Sequence, residues 1–479
     1  MNTCPRGAVA TADAPFAALA AAQREFFANG ATLPYSFRTS ALEALLDAVT
    51  AEEKAIFDAL AADLGKSAGE AYTAEVGLVR AELRFVLRHL RSWMRPLRPP
   101  TPLHALPGKS RIYREPLGLV LIIAPWNYPF QLSLMPLVGA LAAGNCAILK
   151  PSSKAPATAR LLGDIVGKAL APGHAAVVQG GTGAGAALLR ERFDFILYTG
   201  SARVGKTVME AAAASLTPVG LELGGKSPAI VLADADLRRA ARSIAWGKTL
   251  NAGQTCIAPD YVLAARPIKA ELEALLEREF ARFPGPDALH NPDYCRLISL
   301  SALERLEKLA GSGAVCSGAA CSGAAGSGAR ASRETLRMAP LIMPDAGEDD
   351  PVMREEIFGP LLPVLGIDGE DDAARFVRGR DKPLACYIFT RNDKAAARLL
   401  ERLSFGGGCV NDTMLHVSSP RLPFGGVGMS GMGRYHGKAG FLLFSNEKSV
   451  LHKGGFFDPP LRYPPYSAAT LAWLRRLLG

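Results

Sequence analysis

Apolar side chains recur at helical spacing across residues 36 to 95. Leu42, Leu45, Leu46 and Val49 form one stripe, and Leu83, Val86, Leu87 and Leu90 form another. Pro96 ends that region, and the stretch from Arg98 to Arg114 is Pro-rich and then extended, which predicts a hairpin or a crossover. The pattern then changes. Leu119 to Ala124 predicts a buried strand, Gln131 to Ala143 a helix and Cys146 to Lys150 a second strand. Pro156 opens a helix running to about Leu170, and Val177 and Val178 begin a strand. Phe193 to Tyr198 is another strand, and Val204 to Ala214 a helix. After Glu222 the alternation resumes with a strand at Ala229 to Leu232. A helix follows at Leu237 to Leu250, capped by Asp236 or Asp234. Strands alternating with helices predict an α/β protein with mainly parallel, doubly wound sheets, and a second α/β unit starts near 223.

With 479 residues the chain is too long for one ordinary core. Its 49% hydrophobic and 21% charged residues exclude a disordered chain. Positions 116 to 149 hold no charged residue, a run of 34, long enough to cross a bilayer. Pro125, Asn127, Pro129, Gln131, Pro136, Gly144 and Asn145 break it, so a buried strand, loop, helix and strand is the expectation. Asp13 and Pro15 interrupt the N-terminal apolar residues, and no signal peptide is expected. The net charge of +9 suits an anionic ligand, and equally nucleic acid. The basic stretch Arg88 to Arg95 has helical spacing, however, and reads as a solvated helix face. Eight scattered cysteines without a C-x-x-C pair predict reduced thiols in a cytoplasm. Seven isolated histidines predict no metal site. Residues 311 to 331, with Cys-Ser-Gly-Ala-Ala twice in tandem, read as a surface loop carrying Cys316 and Cys321.

Four segments carry candidate chemistry. Asn251-Ala252-Gly253-Gln254-Thr255-Cys256 is a Gly/Asn loop after a helix, delivering one thiol: a nucleophile, or a small buried hydrophobe. Glu222 ends an apolar strand before Gly224 and Gly225: a general base in a cleft, or a partner for Lys226. Asn127, just past a buried strand, is an oxyanion donor or a loop asparagine satisfying backbone. Tyr198 to Lys206 follows a strand and opens a glycine-bearing helix, a setting that binds phosphate. Gly200 to Thr207 also matches G-x-x-x-x-G-K-T literally, the pattern of a P-loop NTPase.

Taken together, these segments resemble the aldehyde dehydrogenase superfamily, and its class 3-like branch in particular, from about residue 36 to about 450. The motifs in family order are Pro116-Leu117-Gly118, Pro125-Trp126-Asn127-Tyr128-Pro129-Phe130, Ala143-Gly144-Asn145 and Leu149-Lys150-Pro151-Ser152. Leu221-Glu222-Leu223-Gly224-Gly225-Lys226-Ser227-Pro228, Gly253-Gln254-Thr255-Cys256, Glu355-Glu356-Ile357-Phe358-Gly359-Pro360 and Leu422-Pro423-Phe424-Gly425-Gly426-Val427-Gly428 follow. Tyr435-His436-Gly437-Lys438 looks class 3-like.

The resemblance implies NAD(P)-dependent oxidation of aliphatic or aromatic aldehydes to carboxylic acids. Cys256 would form the thiohemiacetal and then the thioester. Asn127 and the backbone N–H of Cys256 would hold the oxyanion, and Glu222 would activate the hydrolytic water. NAD or NADP would contact Trp126, Lys150, Ser153, Gly200, Ser201, Val204, Gly205, Glu356 and Phe358. Lys150 would reach the adenosine ribose and Glu356 the nicotinamide ribose. The implied architecture is an aldehyde dehydrogenase-like fold. A Rossmann-like coenzyme domain takes residues 1–97 and 117–222, and an α/β catalytic domain takes 223–415. A small bridging region at 98–116 and 416–479 would serve a homodimer. Class 3-like members commonly carry glutamate after Lys-Pro-Ser; Ser153 stands there, which opens the site to NADP beside NAD. The tail after Asn446 is too short and too charged to span a membrane. Two alternatives keep the chemistry open: a CoA-acylating aldehyde dehydrogenase, which needs no water-activating glutamate, and a P-loop NTPase.

Overall fold

The computed structural model describes residues 16–311, 330–344, 346–454 and 462–478. Its strands, in chain order, begin with β1 (Lys109–Pro116), β2 (Leu119–Ile123), β3 (Cys146–Lys150), β4 (Ala175–Val177), β5 (Phe195–Thr199) and β6 (Val219–Glu222). Next come β7 (Pro228–Val231), β8 (Tyr261–Ala265), β9 (Ala331–Ser332), β10 (Arg337–Met338), β11 (Leu341–Met343) and β12 (Leu361–Ile367). The last are β13 (Ala385–Phe389), β14 (Gly407–Val410), β15 (Gly431–Met432) and β16 (Ser445–His452).

Two six-stranded sheets organise the molecule. One has the order β15-β6-β5-β2-β3-β4 and the other β11-β12-β8-β7-β13-β14. All pairings within them are parallel except that of β15 with β6. Central strands covered on both faces must be apolar throughout, and Leu119–Leu121 and Phe195–Thr199 are buried at every position. The uncharged run resolves into β2, a loop, the helix Gln131–Ala143 and β3. That helix is buried at every residue, so it belongs to a protein core. Gly144, left-handed, ends it.

Register decides where the chemistry falls. Ile123 pairs with Lys150 and with Tyr198, and Thr199 pairs with Glu222. The carboxyl ends of β2, β3, β5 and β6 therefore lie along one edge of the first sheet, where open α/β sheets bind ligands. The second sheet starts at once, because only Leu223–Ser227 separates β6 from β7.

Several expectations need correction. The strand placed at Val177–Val178 ends at Val177 instead of beginning there. A helix, Ala17–Ala28, precedes the helical region. The extended stretch before Arg114 folds back locally only at one antiparallel bridge, Leu97 with Ile112, and β1 itself pairs antiparallel with β16, more than 300 residues later. Sequence periodicity cannot announce a partner so distant. The helix Gly77–Trp93 exposes Arg88 and Arg91, the solvated face expected of them. The helix Leu237–Thr249 is capped by Asp236, whose carboxylate accepts from the Arg239 N–H at 3.1 Å. Cys4, Cys316 and Cys321 lie outside the described residues. Among the described residues no helix is long and apolar enough to cross a membrane, and no cluster of metal-ligating side chains is present.

Candidate active site

Cys256 reaches its place through an unusual turn. The helix Leu237–Thr249 gives way to a 3-10 turn, and Asn251, Ala252 and Gly253 then adopt φ of 52°, 52° and 73° in succession. Consecutive left-handed residues are costly and persist only where tertiary contacts hold them. At Gly253 a Cβ would meet the Gly359 carbonyl oxygen at 2.4 Å, so only glycine lets the loop lie there. The loop is tied down on several sides. The Glu70 carboxylate accepts from the Asn251 N–H at 2.9 Å, and Gln254 donates to the Asn251 and Arg296 carbonyls at 3.0 Å each. The Tyr387 hydroxyl donates to the Ile257 carbonyl at 2.5 Å.

The thiol and Glu222 line one apolar cavity of about 210 Å³ at the end of the first sheet, with Tyr128, Leu132, Trp246 and Met414 among its walls. Glu222 is 3% exposed, and its Oε2 has no hydrogen-bond partner among the described residues. Burial raises its carboxyl well above the usual range, with Arg434 opposing only in part. Burial likewise pushes the Cys256 thiol up, and the Glu356 and Glu222 carboxylates add to that shift. The reading of Glu222 as a partner for Lys226 is not met. Lys226 pairs instead with Asp260 and donates to the Val352 and Glu355 carbonyls at 2.9 Å each.

Asn127 is buried, and its Nδ2 donates to the Gln254 carbonyl at 3.0 Å. One amide hydrogen is thus engaged with the cysteine loop, and the amide makes no second donor contact among the described residues.

On the far side of the strand ends, a groove of about 710 Å³ runs between Ser201 and Ala202 on one bank and Lys226, Glu356 and Arg380 on the other. Gly200 donates its N–H to the Glu222 carbonyl at 2.9 Å, which joins the glycine turn to the end of β6. The helix Ala202–Ala213 begins two residues after Gly200 and contains Val204 and Gly205. Residues 202–205 are therefore helical rather than a loop wrapped around a phosphate, and the P-loop reading fails on geometry. At Gly224 a Cβ would lie 1.9 Å from Glu356 Oε2, so the bare backbone is what admits that carboxylate. Glu356 Oε1 has no partner among the described residues, and burial first, then the Asp260 charge, lifts its carboxyl to about 8. Trp126 stands edge-on to Phe358 at 5.4 Å, with the Lys154 ammonium 5.9 Å from its ring. Lys150 is buried, and its Nζ donates to the Pro151 and Gly180 carbonyls at 3.2 and 3.0 Å. Ser153 is exposed in the turn after β3. A carboxyl with one unpartnered oxygen, exposed helix N–H groups and a close-approach glycine fit a dinucleotide.

Two polar residues of the cavity, Tyr435 and His436, stand out beside the site candidates. Both are buried, and the Tyr435 hydroxyl and both His436 ring nitrogens lack partners among the described residues. Burial drives His436 down to about 3, so it is neutral. The motif Tyr435-His436-Gly437-Lys438 was a signal, but its distance along the chain from Cys256 hid its place.

The Aldehyde dehydrogenase family model matches residues 2–450. The chain is 43% identical over 453 residues to human "Aldehyde dehydrogenase family 3 member B1", covering 94% of this chain and 95% of that one. It is 40% identical over 443 residues to the Staphylococcus aureus "4,4'-diaponeurosporen-aldehyde dehydrogenase", covering 92% and 95%. A solved structure described as the substrate-bound state of Staphylococcus aureus AldH superposes with a TM-score of 0.91 at 38% identity, covering 96% of this chain and 99% of that one.

Proposed function

The chain belongs to the aldehyde dehydrogenase family, and from that premise we propose that Cys256 is its nucleophile, Asn127 its oxyanion donor and Glu222 its hydrolytic base. The protein is an enzyme, an NAD(P)-dependent aldehyde dehydrogenase. The observation that carries the assignment of roles is that Cys256 and Glu222 line one apolar cavity.

In this reading the Cys256 thiol passes its proton to water, and Sγ adds to the aldehyde carbon, whose C=O π pair moves onto the oxygen. The free amide hydrogen of Asn127 and the Cys256 N–H hold the oxygen, in a site dry enough to strengthen both contacts. The nicotinamide ring, when bound, supplies the hydride acceptor. Ser201, Val204, Gly205, Glu356 and Phe358 hold the coenzyme along the groove. Gly200, Trp126, Lys150 and Ser153 frame its adenosine half. Glu222 then takes a proton from water as it attacks the thioester, and Cys256 Sγ leaves as the acid forms. A CoA-acylating enzyme would have no use for a carboxylate beside the thioester, so Glu222 in this cavity favours hydrolysis.

Apolar walls favour aliphatic or aromatic aldehydes, and the relative named for diaponeurosporen-aldehyde supports an apolar substrate. The two sheets support a coenzyme-binding domain at 1–97 and 117–222 and a catalytic domain at 223–415. The ribbon of β1 and β16 outside them supports a bridging role in a homodimer, which sedimentation would test. The unpaired described cysteines support a cytoplasmic setting. The direct test of the chemistry is a pair of variants. Cys256→Ala should bind coenzyme yet give no turnover. Glu222→Gln should give one burst of reduced nicotinamide and then stall, its steady rate lower by about 10²–10⁴-fold. Steady turnover by Cys256→Ala refutes the nucleophile, and wild-type steady turnover by Glu222→Gln refutes the base.

A further inference from the structure

Two oppositely charged side chains lie fully buried beneath the site and touch neither cavity nor groove. Lys66 and Glu75 both have 0% exposed side chains and meet at 2.5 Å. Burying such a pair costs several kcal/mol of desolvation, and an apolar pair of similar size often serves stability as well. What it connects is therefore informative.

Lys66 follows the helix Glu53–Leu64, which the left-handed Gly65 terminates, and the chain turns inward there. Its Nζ donates to Glu75 and, at 2.9 Å, to the Asn127 carbonyl, and it sits 4.0 Å from the centre of the Tyr128 ring. Glu75 lies in a π-helical turn, Tyr72–Val76, a distortion that tends to mark functional sites. The same turn presents Thr73 and Ala74 to the cavity. The other oxygen of Glu75 accepts from the Phe130 and Gln131 N–H groups at 2.9 and 3.1 Å. Asn127, Tyr128, Phe130 and Gln131 thus each meet one member of this pair.

The network continues to the thiol. Asn251 Nδ2 donates to the same Asn127 carbonyl at 2.9 Å and to the Gln254 carbonyl at 3.1 Å. The Asn127 side chain meets that Gln254 carbonyl, and the Tyr128 hydroxyl meets Thr255 Oγ1 at 2.6 Å, one residue before Cys256.

We propose that Lys66 and Glu75 are positioning residues that set the Asn127–Tyr128 loop against the cysteine loop and so aim the oxyanion-binding amide. This rests on the reading of Asn127 as the oxyanion donor. The pair clamps the loop from both ends, Lys66 at the Asn127 carbonyl and Glu75 at the start of the next helix. Without it the amide is free to shift, and a misplacement near 1 Å costs about 10²-fold in rate.

The test is a double-mutant cycle on the full-length enzyme. The readout is the burst of reduced nicotinamide on rapid mixing with NAD and hexanal, with NAD affinity measured in parallel. The variants are Lys66→Met/Glu75→Gln, Asn127→Ala and all three substitutions together. The paired change leaves neither member of the pair as a charge facing a neutral partner, which Lys66→Met alone would; Glu75→Gln alone runs through the same cycle as a milder perturbation. The paired variant is expected to keep NAD affinity and to lose about tenfold to a hundredfold in burst rate. In the Asn127→Ala background it should cost nothing further, because its effect passes through Asn127. A wild-type burst in the paired variant overturns the proposal, as does a loss that multiplies in full with that of Asn127→Ala. A wild-type burst in Asn127→Ala overturns instead the oxyanion reading beneath it.

Discussion

Gly224→Ala perturbs one contact whose geometry can be stated in advance. The added methyl group would lie 1.9 Å from Glu356 Oε2 and 2.7 Å from its Cδ. Ordinary heavy-atom contact begins near 3.5 Å, so the carboxylate must withdraw by roughly 1.5 Å. It lies in the groove proposed to hold the nicotinamide ribose. With the Glu356 carboxyl lifted to about 8, a hydrogen bond lost there near neutral pH costs about 0.5–1.5 kcal/mol, or up to about one decade in coenzyme affinity. The neighbouring Gly225 provides the control. A Cβ there comes no closer than 3.4 Å, to the Leu384 N, so Gly225→Ala should leave coenzyme binding near wild type. The assay is titration of NAD into each purified variant, with KM for NAD and kcat at saturating aldehyde. Gly224→Ala should raise both the dissociation constant and KM, and in a Glu356→Ala background it should add little. Wild-type NAD binding by Gly224→Ala, or an equal loss in Gly225→Ala, would refute the reasoning.

Ser153→Glu places a carboxylate in the exposed turn after β3, where it can accept from a ribose hydroxyl and repel a 2′-phosphate. The kcat/KM ratio should move toward NAD, and wild type should use NADP appreciably; an unmoved ratio sinks this role. The acid limb of the steady-state rate should lie well above the ordinary carboxylate range. Burial raises Glu222 and only its ionised form accepts a proton, so the rate rises with pH through the raised value; a limb near 4.5 in the pH profile would contradict this. Asp63 accepts from the Ala157 and Thr158 N–H groups and the Thr158 hydroxyl at 3.1, 2.8 and 2.7 Å, which caps the helix Pro156–Ala169 beside the coenzyme turn. Asp63→Ala should cost about 1–3 kcal/mol, read as a lower melting midpoint; an unchanged midpoint would show that water replaces the cap.

Much of the first sheet was legible because its strands are buried on both faces and its helices are punctuated by glycine, proline and aspartate. Leu119 to Ala124, Gln131 to Ala143 and Cys146 to Lys150 are local patterns, and local patterns survive folding when burial agrees with them. The pairing of β1 with β16 left no local trace, and neither did the strand Gly431–Met432 on the edge of β6. Both depend on a partner outside any reading window.

The site divides in the same way. Residue type and order along the chain alone determined the family, the thiol loop, the strand-end glutamate and the glycine turns, since each is a short segment with its own chemistry. Tertiary structure decided what those segments face. Register brought Ile123, Lys150, Thr199 and Glu222 to one edge, and helices and loops from distant parts of the chain, among them Trp246, Met414 and Tyr435, gathered around Cys256 to form its cavity. It also settled partners that sequence left open: Asp260 rather than Glu222 for Lys226, and helix rather than phosphate loop after Gly200. Lys66 and Glu75 had no signal at all. Charged residues near helix ends are ordinarily solvated, and only packing shows a charge to be buried, paired and aimed at a loop more than fifty residues away.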